Sequence, residues 1–225
     1  MSGQKRLVIV GNSEIACMAY EYFTHDSDYE VAGFAIGKDF VQDSTFCGLP
    51  VNEIEEITSV YPPDQFDAFV AIGDSKLNRV RREYFDLCKS KGYKLASFVS
   101  SDAFVWRNVK VGENCFIFEA NILQPFVEVG DNTIIWSGNH IGHRTIIEED
   151  VFIASQVVIS GYCRIGRWSF LGVNVAVANN VTIGADNFIG MGANITRNTP
   201  DNTMWRAPPS MSRDIPARKF FKVGE

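Results

Sequence analysis

The sequence predicts an α/β domain over residues 1–100 followed by a parallel β-helix. Three observations carry this. Aliphatic residues recur at every sixth position without a break from Val105 to Ile195. A second column of glycine or alanine follows directly behind them. Before Ser101, short apolar runs alternate with helical patterns.

The front half reads as strands and helices in turn. Leu7 to Val10 is a short apolar run, followed by Gly11-Asn12-Ser13 and a helical pattern through Ile15, Ala19, Tyr22 and Phe23. Val31 to Ala35 and Phe69 to Ile72 read as further strands. Gly73-Asp74-Ser75 comes next, where Asp74 or Ser75 could cap a helix from Leu77 to Cys88. Leu95 to Val99 closes the series. Strands alternating with helices imply a parallel sheet covered on both faces.

The back half has a different period. The aliphatic column is Val105, Val111, Ile117, Leu123, Val129, Ile135, Ile141, Ile147, Ile153, Ile159, Ile165, Leu171, Val177, Ile183, Ile189 and Ile195. No helix repeats every six residues, and no single strand runs from 105 to 195. Each hexad must therefore be a short strand whose first residue points into a continuous core. The following residue is Gly at 112, 130, 142, 166, 172, 184 and 190 and Ala at 154 and 178, small enough for a tight turn. Two residues further on stand Asn108, Asn114, Asn132, Asn174, Asn180 and Asn198, with Asp150, Asp186, Gly138 and Gly192. These types tolerate left-handed backbone and mark corners. Three hexads would close one triangular coil, with coils stacked about 4.8 Å apart.

Composition narrows the function classes. The 225 residues carry a net charge of −6, which argues against nucleic acid or an anionic membrane as the main partner. No apolar run approaches the roughly 18 residues of a membrane span, and the stretch before Leu7 is too short for a signal peptide. Five scattered cysteines without zinc spacing fit free thiols in a reducing, cytoplasmic setting.

Val129-Gly130-Asp131-Asn132, Ile165-Gly166-Arg167-Trp168 and Ile183-Gly184-Ala185-Asp186 resemble the hexapeptide of left-handed β-helix acyltransferases. The whole chain resembles the bacterial nucleotide-aminosugar N-acetyltransferase and sialic-acid O-acetyltransferase family. The signs at its front are Val10-Gly11-Asn12-Ser13, Gly33-Phe34 and Ala71-Ile72-Gly73-Asp74. Those behind are Asn139-His140-Ile141-Gly142-His143 and Val158-Ile159-Ser160-Gly161. The resemblance implies a Rossmann-like sugar-nucleotide-binding domain over 1–100, a left-handed β-helix over 101–200 and a C-terminal tail over 201–225. It also implies acetyl-CoA as co-substrate, a nucleotide-linked amino sugar as acceptor and a homotrimer with sites between subunits. His143 would be the base, and Gly161 would contact the acyl carbonyl. Two departures stand out: Asn12-Ser13 replaces a richer glycine loop, and Arg144 stands where members commonly have a glutamate after the histidine.

The residues themselves support that placement of the chemistry. Transfer from a thioester needs a group to take the acceptor's proton and a donor for the developing oxyanion. The chain has three histidines. His25 reads as a solvated loop residue beyond the first helix, while His140 and His143 fall in successive hexads. His143 is third in its hexad, beside a corner, where its side chain can face a neighbouring subunit. One coil on lies Gly161, a glycine expected to expose its backbone N–H about 5 Å away. His140 would support the site or touch the acceptor. Glu119, Glu148, Glu149 and Asp150 are candidates to orient the histidine. No Ser-His-Asp or Cys-His arrangement is legible, and Cys115 and Cys163 have no adjacent base.

The donor is expected along the Gly- and Ala-rich rungs at Gly172, Ala178 and Gly190, with a pantetheine arm against exposed backbone amides. Arg206, Arg218, Lys219 and Lys222 could meet its phosphates. Gly11, Asn12, Ser13, Gly73 and Asp74 are expected to contact the sugar nucleotide, at the strand ends where nucleotides commonly bind. Alternatives are O-acetylation of a sugar and a non-catalytic scaffold. A hydration enzyme would need three histidines around zinc, and no metal is expected.

Overall fold

The computed structural model describes residues 5–212 and 214–224. β1 (Lys5–Val10) runs through the front sheet, and its residues from Leu7 onward are buried on alternate faces. Leu7 and Ile9 pack with Phe23 of α1 (Glu14–His25), whereas Val8 and Val10 pack with Phe85 of the later helix Arg79–Ser90. Burial on both faces explains the unbroken apolar run. The other strands are β2 (Tyr29–Ile36), β3 (Thr45–Phe46), β4 (Leu49–Glu53) and β5 (Phe66–Val70), in spatial order β3-β4-β2-β1-β5. All neighbours are parallel except the β3–β4 hairpin. That hairpin and the short α2 (Ile57–Val60) have too few residues to show a period, so the sequence pattern misses both.

One front element is displaced from expectation. The second long helix, α3, starts at Arg79 and not at Leu77, and neither Asp74 nor Ser75 caps it. Lys76, Leu77 and Asn78 instead take φ of 52°, 48° and 66°, a left-handed turn that delays the helix. His25 is the exposed last residue of α1, facing Glu21 at 3.6 Å, and not a loop residue.

From Phe98 onward the chain forms three sheets of two-residue parallel strands, each strand pairing with the one eighteen residues away. The aliphatic column fills the interior. A second inward column behind it, from Cys115 to Ala193, includes buried Asn121, Thr133, Asn139, Thr145, Ser169 and Asn187. Asn139 shows how these polar groups are satisfied: its backbone N–H donates to Asn121 Oδ1 (3.1 Å) and its own Oδ1 accepts from Val157 N–H (2.7 Å). Every sixth residue from Asn114 to Gly192 has positive φ, including Ala120, Phe126, Arg144, Gln156, Tyr162 and Trp168. The corners thus impose left-handed backbone on residues that disfavour it. The glycine column serves another purpose than the expected tight turn. A Cβ on Gly142 would lie 2.5 Å from Gly161 N, so glycine is required because the next coil's backbone passes directly over it. The last coil is shorter, with Met204–Trp205 pairing to Phe188–Ile189, so the start of the tail belongs to the β-helix.

The outward residue of each strand gives the three faces different partners. On the face beginning at Phe98–Val99 the outward residues are Phe98, Phe116, Ile134 and Phe152, all buried against Phe23, Phe34 and Phe69 of the front domain. The face of Lys110, Glu128, Ile146, Arg164 and Thr182 is mostly polar and carries a Lys110–Glu128 ion pair at 2.7 Å. The third face presents Phe104, Ile122, His140 and Val158, of which Phe104 is 53%, Ile122 41% and Val158 47% exposed.

A polar seam locks the domains together. Asn114 Nδ2 donates to Asn132 Oδ1 (2.9 Å), and Asn132 Nδ2 donates to Asp150 Oδ1 (2.7 Å). Arg82 Nε, from α3, reaches both oxygens of the fully buried Asp150, at 2.8 and 2.9 Å. Arg81, also fully buried, donates to the carbonyls of Ile72 (3.2 Å), Gly73 (2.7 Å) and Asn132 (3.1 Å). Buried charges of this kind need such partners. Among the described residues no helix is long and apolar enough to cross a membrane.

Candidate functional site

His143 stands at the corner that follows the exposed apolar face, in the turn after the strand His140–Ile141. Its ring is held on three sides. It lies over Gly161, where a Cβ would come within 2.5 Å of Cε1 and 2.9 Å of both ring nitrogens. Tyr162, one residue further, meets it edge-on at 5.0 Å and 83°. Gln124, from the coil before, places Oε1 3.3 Å from Nδ1 and accepts the His143 backbone N–H at 2.9 Å. Gln124 and Tyr162 were not singled out from the sequence. Each lies nineteen residues from the histidine, one beyond the eighteen-residue step that lands on Pro125 and Gly161, so counting coils alone passes them by.

None of the four carboxylates named from the sequence is placed to orient His143. Glu119, at a different corner, accepts from Tyr22 and Ser137, each at 2.6 Å. Glu148 pairs with Arg164 and accepts Arg167 N–H, Glu149 lies 3.6 Å from Arg167, and Asp150 is held in the interdomain seam. Arg144 turns away and stacks its guanidinium 4.4 Å from the Phe126 ring.

The expected oxyanion donor needs correction. The Gly161 amide donates to Asn179 Oδ1 at 3.0 Å, so it is engaged and not free. What Gly161 does supply is space, since any side chain there would collide with the imidazole. The amides expected to face the donor are likewise occupied by the coil itself. Gly172 N–H donates to Ile189 O (2.7 Å), Ala178 N–H to Ile195 O (2.9 Å) and Gly190 N–H to Trp205 O (2.7 Å). Of these three, Ala178 shares the His143 corner, two coils on from Gly142, while Gly172 and Gly190 stack at another. Gly190 does line a cleft of about 540 Å³ with Met191, Arg206 and Pro208. The thiols are unsuited to covalent catalysis. Cys115 points inward, with burial pushing its pKa up to about 12, and burial also raises that of Cys163, whose thiol donates to Ala178 O at 3.1 Å.

A second concavity lies at the strand ends of the front sheet. Gly11, Asn12, Ser13 and Gly73 come together there with Ile36, Phe40 and Tyr84 around a cavity of about 290 Å³. Gly11 has φ of 133°, and a Cβ on it would lie 2.6 Å from Ala71 O, so only glycine lets β1 and β5 end side by side. Asp74 is exposed just beyond the wall, where Ser75 stands instead, and His140 is outward on the apolar face of the β-helix.

Residues 126–161 match the bacterial transferase hexapeptide (six repeats), spanning the corner that holds His143 and Gly161. Fold and repeat together define the likeness: stacked parallel coils that carry the bacterial transferase hexapeptide, as in left-handed β-helix sugar acetyltransferases. Solved structures narrow the likeness. A mutant of perosamine N-acetyltransferase from Caulobacter crescentus, in complex with CoA and GDP-perosamine, superposes with a TM-score of 0.78 at 25% identity. That match covers 88% of this chain and 91% of that one. The acetyltransferase domain of PglB from Neisseria gonorrhoeae, in complex with acetyl coenzyme A, gives 0.80 at 24% identity over 90% and 96% of the two chains. WeeI from Acinetobacter baumannii gives 0.64 at 18% over 89% and 95%. A comparison with curated protein sequences finds no match.

Proposed function

We propose that the protein transfers an acetyl group from acetyl-CoA to the amine of a nucleotide-linked amino sugar. The observation that carries this is an exposed histidine, contacted at Nδ1 by Gln124 and seated over a side-chain-free backbone at a β-helix corner. The same chain holds a cavity at the ends of a parallel sheet, where nucleotides commonly bind. The perosamine N-acetyltransferase, whose structure holds CoA and a nucleotide sugar, supports the pairing of these two sites.

The sugar amine attacks the thioester carbonyl; a C–N bond forms and the C–S bond breaks. His143 Nε2 takes the amine's proton and passes it to the departing CoA thiolate, so the base is regenerated. Gly161, without a side chain, leaves room for the imidazole itself. The Rossmann-like front domain holds the nucleotide with Gly11, Asn12, Ser13 and Gly73, and the cleft at Gly190 and Arg206 takes the CoA arm. The exposed Phe104, Ile122 and Val158 face supports a homotrimer in which a neighbour supplies the other wall of the site.

The test is a panel of nucleotide-linked amino sugars, with their hydroxyl counterparts, incubated with acetyl-CoA. Thiol release and an N-acetyl product by mass spectrometry are expected, with nucleoside diphosphate competing against the acceptor and NAD having no effect. Transfer to hydroxyls alone would replace the reading with O-acetylation, and no transfer to any acceptor would overturn it.

A further inference from the structure

The geometry points to Gln124 as the residue that positions the base, acting through an uncharged amide where a carboxylate would ordinarily serve. This rests on the reading of His143 as the base. Backbone N–H groups only donate, so the Gln124 atom 2.9 Å from His143 N must be the carbonyl oxygen and not the amide nitrogen. That same oxygen lies 3.3 Å from His143 Nδ1 and can only accept there. Nδ1 must then carry the proton, which leaves the lone pair on Nε2. One oxygen thus ties the backbone and ring of His143 together and selects the tautomer, the role a carboxylate plays in other histidine bases. The neighbouring candidates are excluded by position: Arg144 is stacked on Phe126 and Tyr162 meets the ring by its edge.

A neutral partner has a consequence for pH. A carboxylate at this position would favour the imidazolium and hold the base protonated to higher pH. Gln124→Glu should therefore move the acidic limb of the kcat profile to higher pH while keeping the orientation. Gln124→Ala should lower kcat by about 10-fold or more with little change in KM for acetyl-CoA, because the ring loses its anchor but the donor loses no contact.

The direct test is independent of turnover. With only three histidines in the chain, ¹⁵N-labelled imidazole signals can be assigned by comparison with His143→Ala. In the intact protein above the imidazole titration, His143 is expected as the Nδ1–H tautomer. In Gln124→Ala it should revert toward the Nε2–H form that free histidine favours. An Nε2–H signal for His143 in the intact protein, or a tautomer and pH profile unmoved by both substitutions, would overturn the role of Gln124. If the tautomer shifts as expected while kcat does not, Gln124 orients the ring and the assignment of His143 as base is what fails.

Discussion

Gly161→Ala isolates the geometry of the site from its chemistry. Gly161 does not take positive φ, so alanine can adopt the backbone without strain. Its Cβ would nevertheless sit 2.5 Å from His143 Cε1 and 2.9 Å from Nδ1 and Nε2. Unstrained carbon contacts need about 3.5–4.0 Å, so the imidazole must retreat by roughly 1 Å. The engaged Gly161 amide ties that backbone to Asn179, whereas the exposed imidazole is restrained by a single long 3.3 Å contact to Gln124, so the ring is the part that yields. A misplacement of about 1 Å can cost on the order of 100-fold in rate. The assay is steady-state acetyl transfer, with circular dichroism and light scattering to confirm a folded oligomer. A kcat loss of that order with an unchanged melting temperature within a few degrees is expected. Wild-type kcat in folded Gly161→Ala would refute the argument that the ring's seat over Gly161 matters.

Three further outcomes follow from the packing. Asp150→Ala removes the shared acceptor of Arg82 and Asn132 and should destabilise the protein by about 3–5 kcal/mol, read as a lowered chemical-denaturation midpoint; a midpoint equal to wild type would show that the seam is dispensable. Burial pushes the Glu119 carboxyl up, but hydrogen bonds from Ser137 and Tyr22 outweigh it and hold its pKa below the ordinary glutamate value. Its contribution to stability is therefore present above the unfolded-chain value and lost as pH falls through the depressed folded value. Urea titrations should show a smaller acid-induced loss in Glu119→Gln than in wild type, and identical losses would contradict the sign. If the exposed apolar face forms the proposed trimer, Val158→Asp should give a monomer in light scattering where the wild type gives a trimer, and equal masses for the two would remove that face from the proposal.

Much of this architecture was legible because β-helix periodicity is local. The inward column from Val105 to Ile195 marks itself every six residues, and the coil length follows once corners are placed. The docking face repeats only every eighteen residues, as Phe98, Phe116, Ile134, Phe152 and Phe170, and it passes unnoticed in a six-residue frame. His143 could be paired with Gly161 by counting, since both lie on one corner. The state of the Gly161 amide could not, because Asn179 reaches it from yet another coil by a side chain whose direction no spacing encodes. The amides of Gly172, Ala178 and Gly190 were expected to be free because glycine and alanine suggest exposed backbone; the ladder that stacks the coils consumes them. Arg81 and Arg82 gave no signal at all, as two arginines on an amphipathic helix read as solvent-facing until the seam with Asn132 and Asp150 is seen.

The central claim is that His143 is the base of an acetyl transfer, and kinetics of His143→Ala test it most directly. General base catalysis contributes about 10²–10⁴-fold, so kcat should fall within that range. Acetyl-CoA affinity should be nearly unchanged and the oligomer intact, because the buried core residue of that hexad is Ile141 and not the exposed histidine. Raising the pH should restore part of the rate, since an amine already deprotonated in solution no longer needs the base. A folded, oligomeric His143→Ala protein with near wild-type kcat across that pH range would contradict the account.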